Sequence, residues 1–196
     1  MGRFLLLLAL VLGLAACGEK KPSVEVPSDA VMRLSDLFTG DFALIDKNGA
    51  HVADEDFEGK VTLVYFGYTS CPDVCPGDIG VMSATLNELG SDAKDLAVLF
   101  VTVDPERDTP QALADYFAFD ERIVPLTGTP DAAAAARAAF KQVAIKKPGS
   151  TGPLGYTVDH LRLFYVLDRA GVPQIAVKGG VSPQVLAEIL RREMRR

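Results

Sequence analysis

Two stretches of the chain are apolar almost without a break: Val61-Thr62-Leu63-Val64-Tyr65-Phe66, and Leu96 to Val103. Short runs that do not alternate predict strands buried on both faces. Between them, Ile79, Met82, Leu86 and Leu89 recur at helical spacing, which predicts a helix from Pro76 to Leu89 with Gly90 as its stop. Three more helices start with a hydroxyl residue followed by proline, at Thr109-Pro110, Thr129-Pro130 and Ser182-Pro183. The hydroxyl caps a free backbone N–H and the proline has none to satisfy. Leu161 to Leu167 and Pro173 to Val177 predict two strands joined by the turn Asp168-Arg169-Ala170-Gly171. Upstream, Asp41 to Asp46 followed by Asn48-Gly49 predicts a strand entering a hairpin.

The order is hairpin, β, α, β, α, α, two strands, α. Helices alternating with buried strands define an α/β fold with a parallel centre and an antiparallel pair at its end. This order is thioredoxin-like: a mixed central sheet flanked by helices, with an N-terminal β-hairpin. In such a sheet, the loop after Phe66 lies at the carboxyl end of a central strand, where α/β folds place their sites.

The first sixteen residues follow a different pattern. Arg3 precedes an apolar run from Phe4, and Leu14-Ala15-Ala16-Cys17 resembles a bacterial lipoprotein cleavage box. The run is too short for the ~20 residues that span a bilayer, which favours a signal segment over an anchor helix. The expected organisation is a signal peptide over 1–16, a lipidated tether over 17–34 beginning at Cys17, and one domain over 35–196. The protein is then exported, at the periplasmic face or cell surface, and held to the membrane by lipid. The tether segment is polar and punctuated by proline. About fifteen such residues reach roughly 20–25 Å. The whole chain has 26 acidic against 20 basic residues, a formal charge of −6, and losing Arg3 makes it more negative. No nucleic-acid partner is expected from that balance.

With Cys17 lipidated, two of the three cysteines remain, Cys71 and Cys75. They lie in Cys71-Pro72-Asp73-Val74-Cys75-Pro76. Pro76 at the first helical position would put Cys75 at or beside the N-cap, where free N–H groups and the helix dipole favour a thiolate. One turn separates the Cα atoms by roughly 6 Å, so the pair can close as a disulfide or open around a soft metal. A purely structural bridge over so short a loop adds little stability. Two thiolates fall short of the four ligands zinc prefers, whereas Cu(I) is soft and needs only one donor more. Of two histidines, His51 follows the Asn48-Gly49 turn and reads as a solvated hairpin residue. His160 lies in a loop feeding the strand from Leu161, and reads either as a ligand or as a loop histidine capping its neighbours. It reaches the cysteine loop only if that strand runs antiparallel to the first.

Three blocks resemble the signatures of the Sco/SenC family: Gly67-Tyr68-Thr69-Ser70-Cys71-Pro72-Asp73-Val74-Cys75-Pro76, then Val103-Asp104-Pro105-Glu106-Arg107-Asp108-Thr109-Pro110, then Val158-Asp159-His160. The resemblance covers about residues 35–195. It implies one copper ion, Cu(I), Cu(II) or both, held by Cys71, Cys75 and His160, and a Cys71–Cys75 disulfide when oxidised. It also implies a role in assembling the dinuclear copper centre of cytochrome c oxidase, as copper chaperone, as thiol reductant, or as both. The implied partners are the copper-bearing oxidase subunit and other periplasmic copper carriers or thiol reductants. Leu161-Arg162 follows the histidine where the family usually has a small polar residue.

The competing reading is a thiol–disulfide oxidoreductase in which Cys71 attacks and Cys75 resolves. A peroxidase ranks third, for want of a threonine and arginine arranged about a single cysteine. Asp73 reads chiefly as a loop aspartate bonding nearby N–H groups. Asp104, Arg107 and Asp108 read equally as a docking rim or as caps for the helix at Thr109. Phe66 and Tyr68 read as core residues, one of which could shield the site.

Overall fold

Seven consecutive residues, Val61 to Gly67, are buried, and so are the seven from Leu96 to Thr102. These two central strands order everything else in the computed structural model, which describes residues 24–149 and 155–196. In chain order the elements are β1 (Val31–Arg33), β2 (Ala43–Asp46), β3 (His51–Ala53), β4 (Val61–Gly67), α1 (Val74–Leu89), β5 (Leu96–Thr102) and α2 (Pro110–Tyr116). There follow β6 (Ile123–Thr127), α3 (Pro130–Ala139), β7 (Ala144–Pro148), β8 (Tyr156–His160), β9 (Leu163–Leu167), β10 (Pro173–Lys178) and α4 (Pro183–Met194).

Eight strands form one sheet in the order β1-β10-β9-β4-β5-β6-β2-β3. The pairs β4–β5 and β5–β6 are parallel; β9 runs antiparallel to β4, and β10 to β9. The expected thioredoxin-like mixed sheet is therefore present. Neighbouring residues of a strand face opposite sides. Tyr65 faces α1, where its hydroxyl meets Asp78, while Phe66 faces the other layer and packs against Phe140 and Tyr165 with centroids 5.2 and 5.9 Å away. All three hydroxyl–proline helices form as expected: Thr109, Thr129 and Ser182 each accept a backbone N–H through the side-chain oxygen.

Four expectations need correction. The domain begins before residue 35, because β1 pairs with β10 and lies inside the segment assigned to the tether. β6 was not expected, since Pro125 interrupts its run; yet it pairs on both sides, with β5 and β2. The segment read as a loop around His160 is a second, two-stranded sheet, β7–β8, with His160 its last residue. Both strands lie largely at the surface, so neither carries the apolar alternation that marks a strand. Finally, α1 starts at Val74. Pro76 fits the third helical position as well as the first, because none of the early helical N–H groups has an intrahelical partner. The signal segment and Cys17 lie outside the described residues, as does most of the Gly/Pro-rich loop before Gly155. No described helix is long and apolar enough to cross a membrane.

Candidate metal and dithiol site

At the carboxyl end of β4, Gly67 lets three neighbours close in. A Cβ there would stand 2.9 Å from the Phe100 ring, 3.0 Å from the Tyr65 ring and 3.3 Å from Cys75 Sγ. The chain then turns, with Cys71 N–H donating to the Tyr68 carbonyl at 3.2 Å, and enters α1 at Val74. Cys75 is the second residue of that helix and is fully buried, whereas Cys71 is half-buried at the surface. Both thiols are free.

β9 approaches from the opposite direction, pairing Phe164 with Tyr65, so the chain preceding it reaches the same end of the sheet as the cysteine loop. This is the antiparallel arrangement that a histidine ligand required. His160 Nε2 lies 3.2 Å from Cys75 Sγ, and Nδ1 lies 3.1 Å from the Leu161 carbonyl. A carbonyl can only accept, so Nδ1 carries a hydrogen, and Nε2 is the ring atom turned toward the inner sulfur. Tyr65 and Tyr68 meet the imidazole in T-shaped contacts at 6.2 and 6.1 Å, both at 83°. Tyr68, Cys71, Pro72, Asp73, Val74, Thr157, Val158, Asp159 and His160 line a cleft of about 360 Å³. His51 is exposed in β3 on the far edge of the sheet, as expected of a solvated hairpin residue.

Charge distributes between the thiols otherwise than the helix dipole predicted. Cys71, not Cys75, is the acidic one, pushed down to about 3 chiefly by the hydrogen bond it receives from the Cys75 thiol. His160 and the N–H groups of Asp73 and Cys75 act in the same direction, against the cost of burial. Cys75 is pushed up, first by giving its proton to Cys71 and then by burial. The outer sulfur is a ready thiolate and the inner one its proton donor.

The second sequence block proves to be a clamp rather than a rim or a set of caps. Asp108 is fully buried and accepts from Thr69 N–H at 3.1 Å, Thr69 Oγ1 at 2.6 Å and Thr102 Oγ1 at 2.6 Å. It thereby holds the start of the cysteine loop, and burial raises its own pKa. Asp104, also buried, pairs with Arg107 and accepts from Tyr156 Oη at 2.7 Å. Arg107 donates to the Tyr156 carbonyl at 3.2 Å and stacks over that ring at 4.1 Å. One block thus braces both the cysteine loop and the strand that carries His160. Tyr68, expected in the core with a possible shielding role at the site, accepts the Val158 N–H at 3.2 Å and adds a third brace. Gln142 was missed altogether. Buried beyond α3, it donates to the Leu161 carbonyl at 3.0 Å and accepts from Tyr165 at 2.8 Å. A lone glutamine in a helix-to-strand connection carries no sequence signal of such a role.

Among the described residues, no three His, Cys, Asp or Glu side chains are gathered closely enough to form a finished metal cage. The donor set nonetheless fits a soft cation: two sulfurs, the outer one acidic, and an imidazole nitrogen facing the inner sulfur. The same thiols fit disulfide exchange.

A thioredoxin-like sheet with a dithiol at the end of its central strand, faced by an imidazole from the antiparallel side, defines a dithiol–histidine site. The chain belongs to the SCO1/SenC family, whose model matches residues 31–195. It is 38% identical over 159 residues to Protein sco1 of Schizosaccharomyces pombe, covering 78% of this chain and 60% of that protein. To Protein SenC of Rhodobacter capsulatus it is 39% identical over 131 residues, covering 66% of this chain and 58% of the relative. The chain therefore matches less than two thirds of the length of either relative. Among solved structures, Bradyrhizobium japonicum ScoI with copper bound superposes with a TM-score of 0.73 at 38% identity, covering 80% of this chain and 99% of that one.

Proposed function

We propose that this protein is a membrane-tethered copper chaperone that binds one copper ion through Cys71, Cys75 and His160. It passes that ion toward the dinuclear centre of cytochrome c oxidase. The observation that carries the reading is the 3.2 Å approach of His160 Nε2 to Cys75 Sγ, beside the Cys71 thiolate and on an open cleft. Copper is the cargo. The Cys71 thiolate is the exposed first contact, Cys75 gives up its proton on binding, and His160 supplies the third donor. An incoming thiol-bearing target can replace these donors one at a time because the cleft opens outward. Family membership and the copper-bound relative support the choice of metal, and the oxidase target follows from the family resemblance. Residues 1–16 as signal and Cys17 as the lipidated residue complete this reading, with the domain exported and held at a membrane surface.

A second reading rests on the split between the thiols. The Cys71 thiolate attacks a disulfide in the target, forming a mixed disulfide and releasing one target thiolate. Cys75 then displaces the second, leaving the target dithiol and a Cys71–Cys75 disulfide that a thiol reductant must reopen. Titrating the reduced protein separately with Cu(I) and Cu(II), as wild type and as His160→Ala, separates the two. One tight equivalent whose affinity or spectrum changes in His160→Ala supports the chaperone. Absence of copper binding, with turnover of a disulfide substrate that survives His160→Ala, replaces it with the oxidoreductase.

A further inference from the structure

An ion pair between an exposed arginine and a buried aspartate lies close in the chain to His160 and Cys75, outside the donor set. Asp78, in α1, is fully buried. Arg162, in the short link between β8 and β9, reaches it with two parallel bonds, Nε to Oδ2 at 2.5 Å and a terminal nitrogen to Oδ1 at 2.7 Å. The carboxylate is filled on every side. Tyr65 Oη donates to Oδ2 at 3.0 Å and Gly180 N–H to Oδ1 at 3.0 Å. The arginine stem fits only because two glycines follow β10. A Cβ at Gly179 would stand 2.4 Å from Arg162 Cγ and 2.7 Å from Asp78 Oδ2, and one at Gly180 would stand 3.1 Å from the guanidinium. Gly179 N–H also donates to the Arg162 carbonyl at 2.9 Å.

The spacing gives the pair its meaning. Asp78 follows Cys75 by three residues, so both lie on one face of α1. Arg162 follows His160 by two. The ion pair therefore ties the helix that carries one donor to the link beside the other. Tyr65 adds a second connection, with its hydroxyl on Asp78 and its ring in T-shaped contact with His160. We propose that Asp78 and Arg162 are positioning residues that hold His160 Nε2 against Cys75 Sγ and so set the geometry in which the site receives its metal. Bidentate arginine–carboxylate pairs fix orientation as well as distance, and lysine cannot reproduce the fork. The inference deepens the chaperone reading and rests on it only for the copper measurement.

The test uses the full chain with four single substitutions: Arg162→Ala, Arg162→Lys, Asp78→Asn and, as a control, Arg191→Ala. Arg191 joins α4 to Asp92 and to the Glu88 carbonyl, and touches no site residue. The first measurement needs no metal. The ¹⁵N and ¹H shifts of the His160 ring report its contact with Cys75. Arg162→Ala and Asp78→Asn are expected to shift them, Arg162→Lys to restore them in part, and Arg191→Ala to leave them unchanged. The second is competitive titration with Cu(II) and Cu(I), read by affinity and by the nitrogen coupling of bound Cu(II). Arg162→Ala is expected to weaken binding about tenfold, the lower end for loss of a group supporting a metal ligand. Arg162→Lys folds with its charge kept, so it keeps the test open should the alanine variant unfold. Unchanged ring shifts in folded Arg162→Lys and Asp78→Asn overturn the proposal, as does an Arg191→Ala change equal to theirs. If wild type binds no copper, the chaperone reading fails, and the metal-free shifts still decide the positioning role.

Discussion

The loop from Cys71 to Cys75 grows out of β4, every residue of which is buried, whereas His160 ends β8, whose partner strand β7 has no buried residue at all. The cysteines stand on a framework made by apolar burial. The histidine stands on a ribbon fastened to that framework at discrete polar points: Tyr156 to Asp104, Arg107 to the Tyr156 carbonyl, Val158 to Tyr68, Gln142 to the Leu161 carbonyl and Arg162 to Asp78. Apolar packing in a core cannot be undone locally, while hydrogen bonds at a surface open one by one. A site built from two sulfurs of the first kind and one nitrogen of the second can hold its sulfurs fixed and still release or re-aim its nitrogen.

The sharpest way to break the comparison is to cut equally on both sides of it. Phe66→Ala removes a fully buried ring packed against Phe140 and Tyr165, and should destabilise the fold by about 3–5 kcal/mol. Ile145→Ala, on exposed β7, should stay within about 0.5 kcal/mol. Urea unfolding followed by far-UV circular dichroism measures both. Similar losses from the two substitutions would mean that the ribbon belongs to the core after all.

Next in size is the clamp. Asp108→Ala leaves Thr69 N–H and the hydroxyls of Thr69 and Thr102 without their acceptor. A cost of about 1–3 kcal/mol follows from buried donors left unpaired, softened because burial already disfavours the Asp108 charge. Tyr156→Phe removes the hydroxyl bond to Asp104 and a longer one to exposed Glu106, for about 1 kcal/mol. The two should differ in where they act. Amide hydrogen exchange should quicken at Thr69 to Cys71 in the first variant, and along β7–β8 in the second. Matching exchange patterns would refute the assignment of Asp108 to the cysteine loop and Asp104 to the histidine ribbon.

The same contrast explains what could be seen in the sequence beforehand. β4, β5, α1 and the three proline-capped helices were legible because burial and capping each leave a local signature: apolar runs, helical spacing, a hydroxyl before proline. The cysteine pair was legible for the same reason, lying between two such elements. β7 and β8 were not, because a surface ribbon held by side-chain bonds leaves no periodicity, and Pro125 hid β6. On spacing alone His160 was one of two candidate histidines, and the resemblance of Val158-Asp159-His160 to a family block singled it out. Its contact with Cys75 comes from the antiparallel pairing of β9 with β4, a relation between residues about a hundred positions apart. The dipole argument favoured Cys75 because it considered the helix alone. Coupling between the two thiols and the burial of Cys75 push the acidity toward Cys71 instead.

A small effect on the framework side of the molecule serves as its acid probe. Asp120 joins α1 to the start of β6, accepting from Ser83 Oγ at 2.5 Å and from both faces of the Arg122 fork at 2.7 and 2.8 Å. Its pKa is held at about 2, first by Arg122. An aspartate depressed below its unfolded value near 3.8 adds stability that is fully present above that value. The contribution fades as pH falls toward about 2. Arg122 is half exposed, so Arg122→Leu should cost under about 1 kcal/mol at neutral pH. The gap from wild type should narrow between about pH 4 and pH 2, since the variant has less pairing to lose on acidification. Urea midpoints measured across that range decide it. A gap that stays constant down to pH 2 would show that Arg122 contributes by packing alone, and that the charge on Asp120 has no part in joining α1 to the sheet.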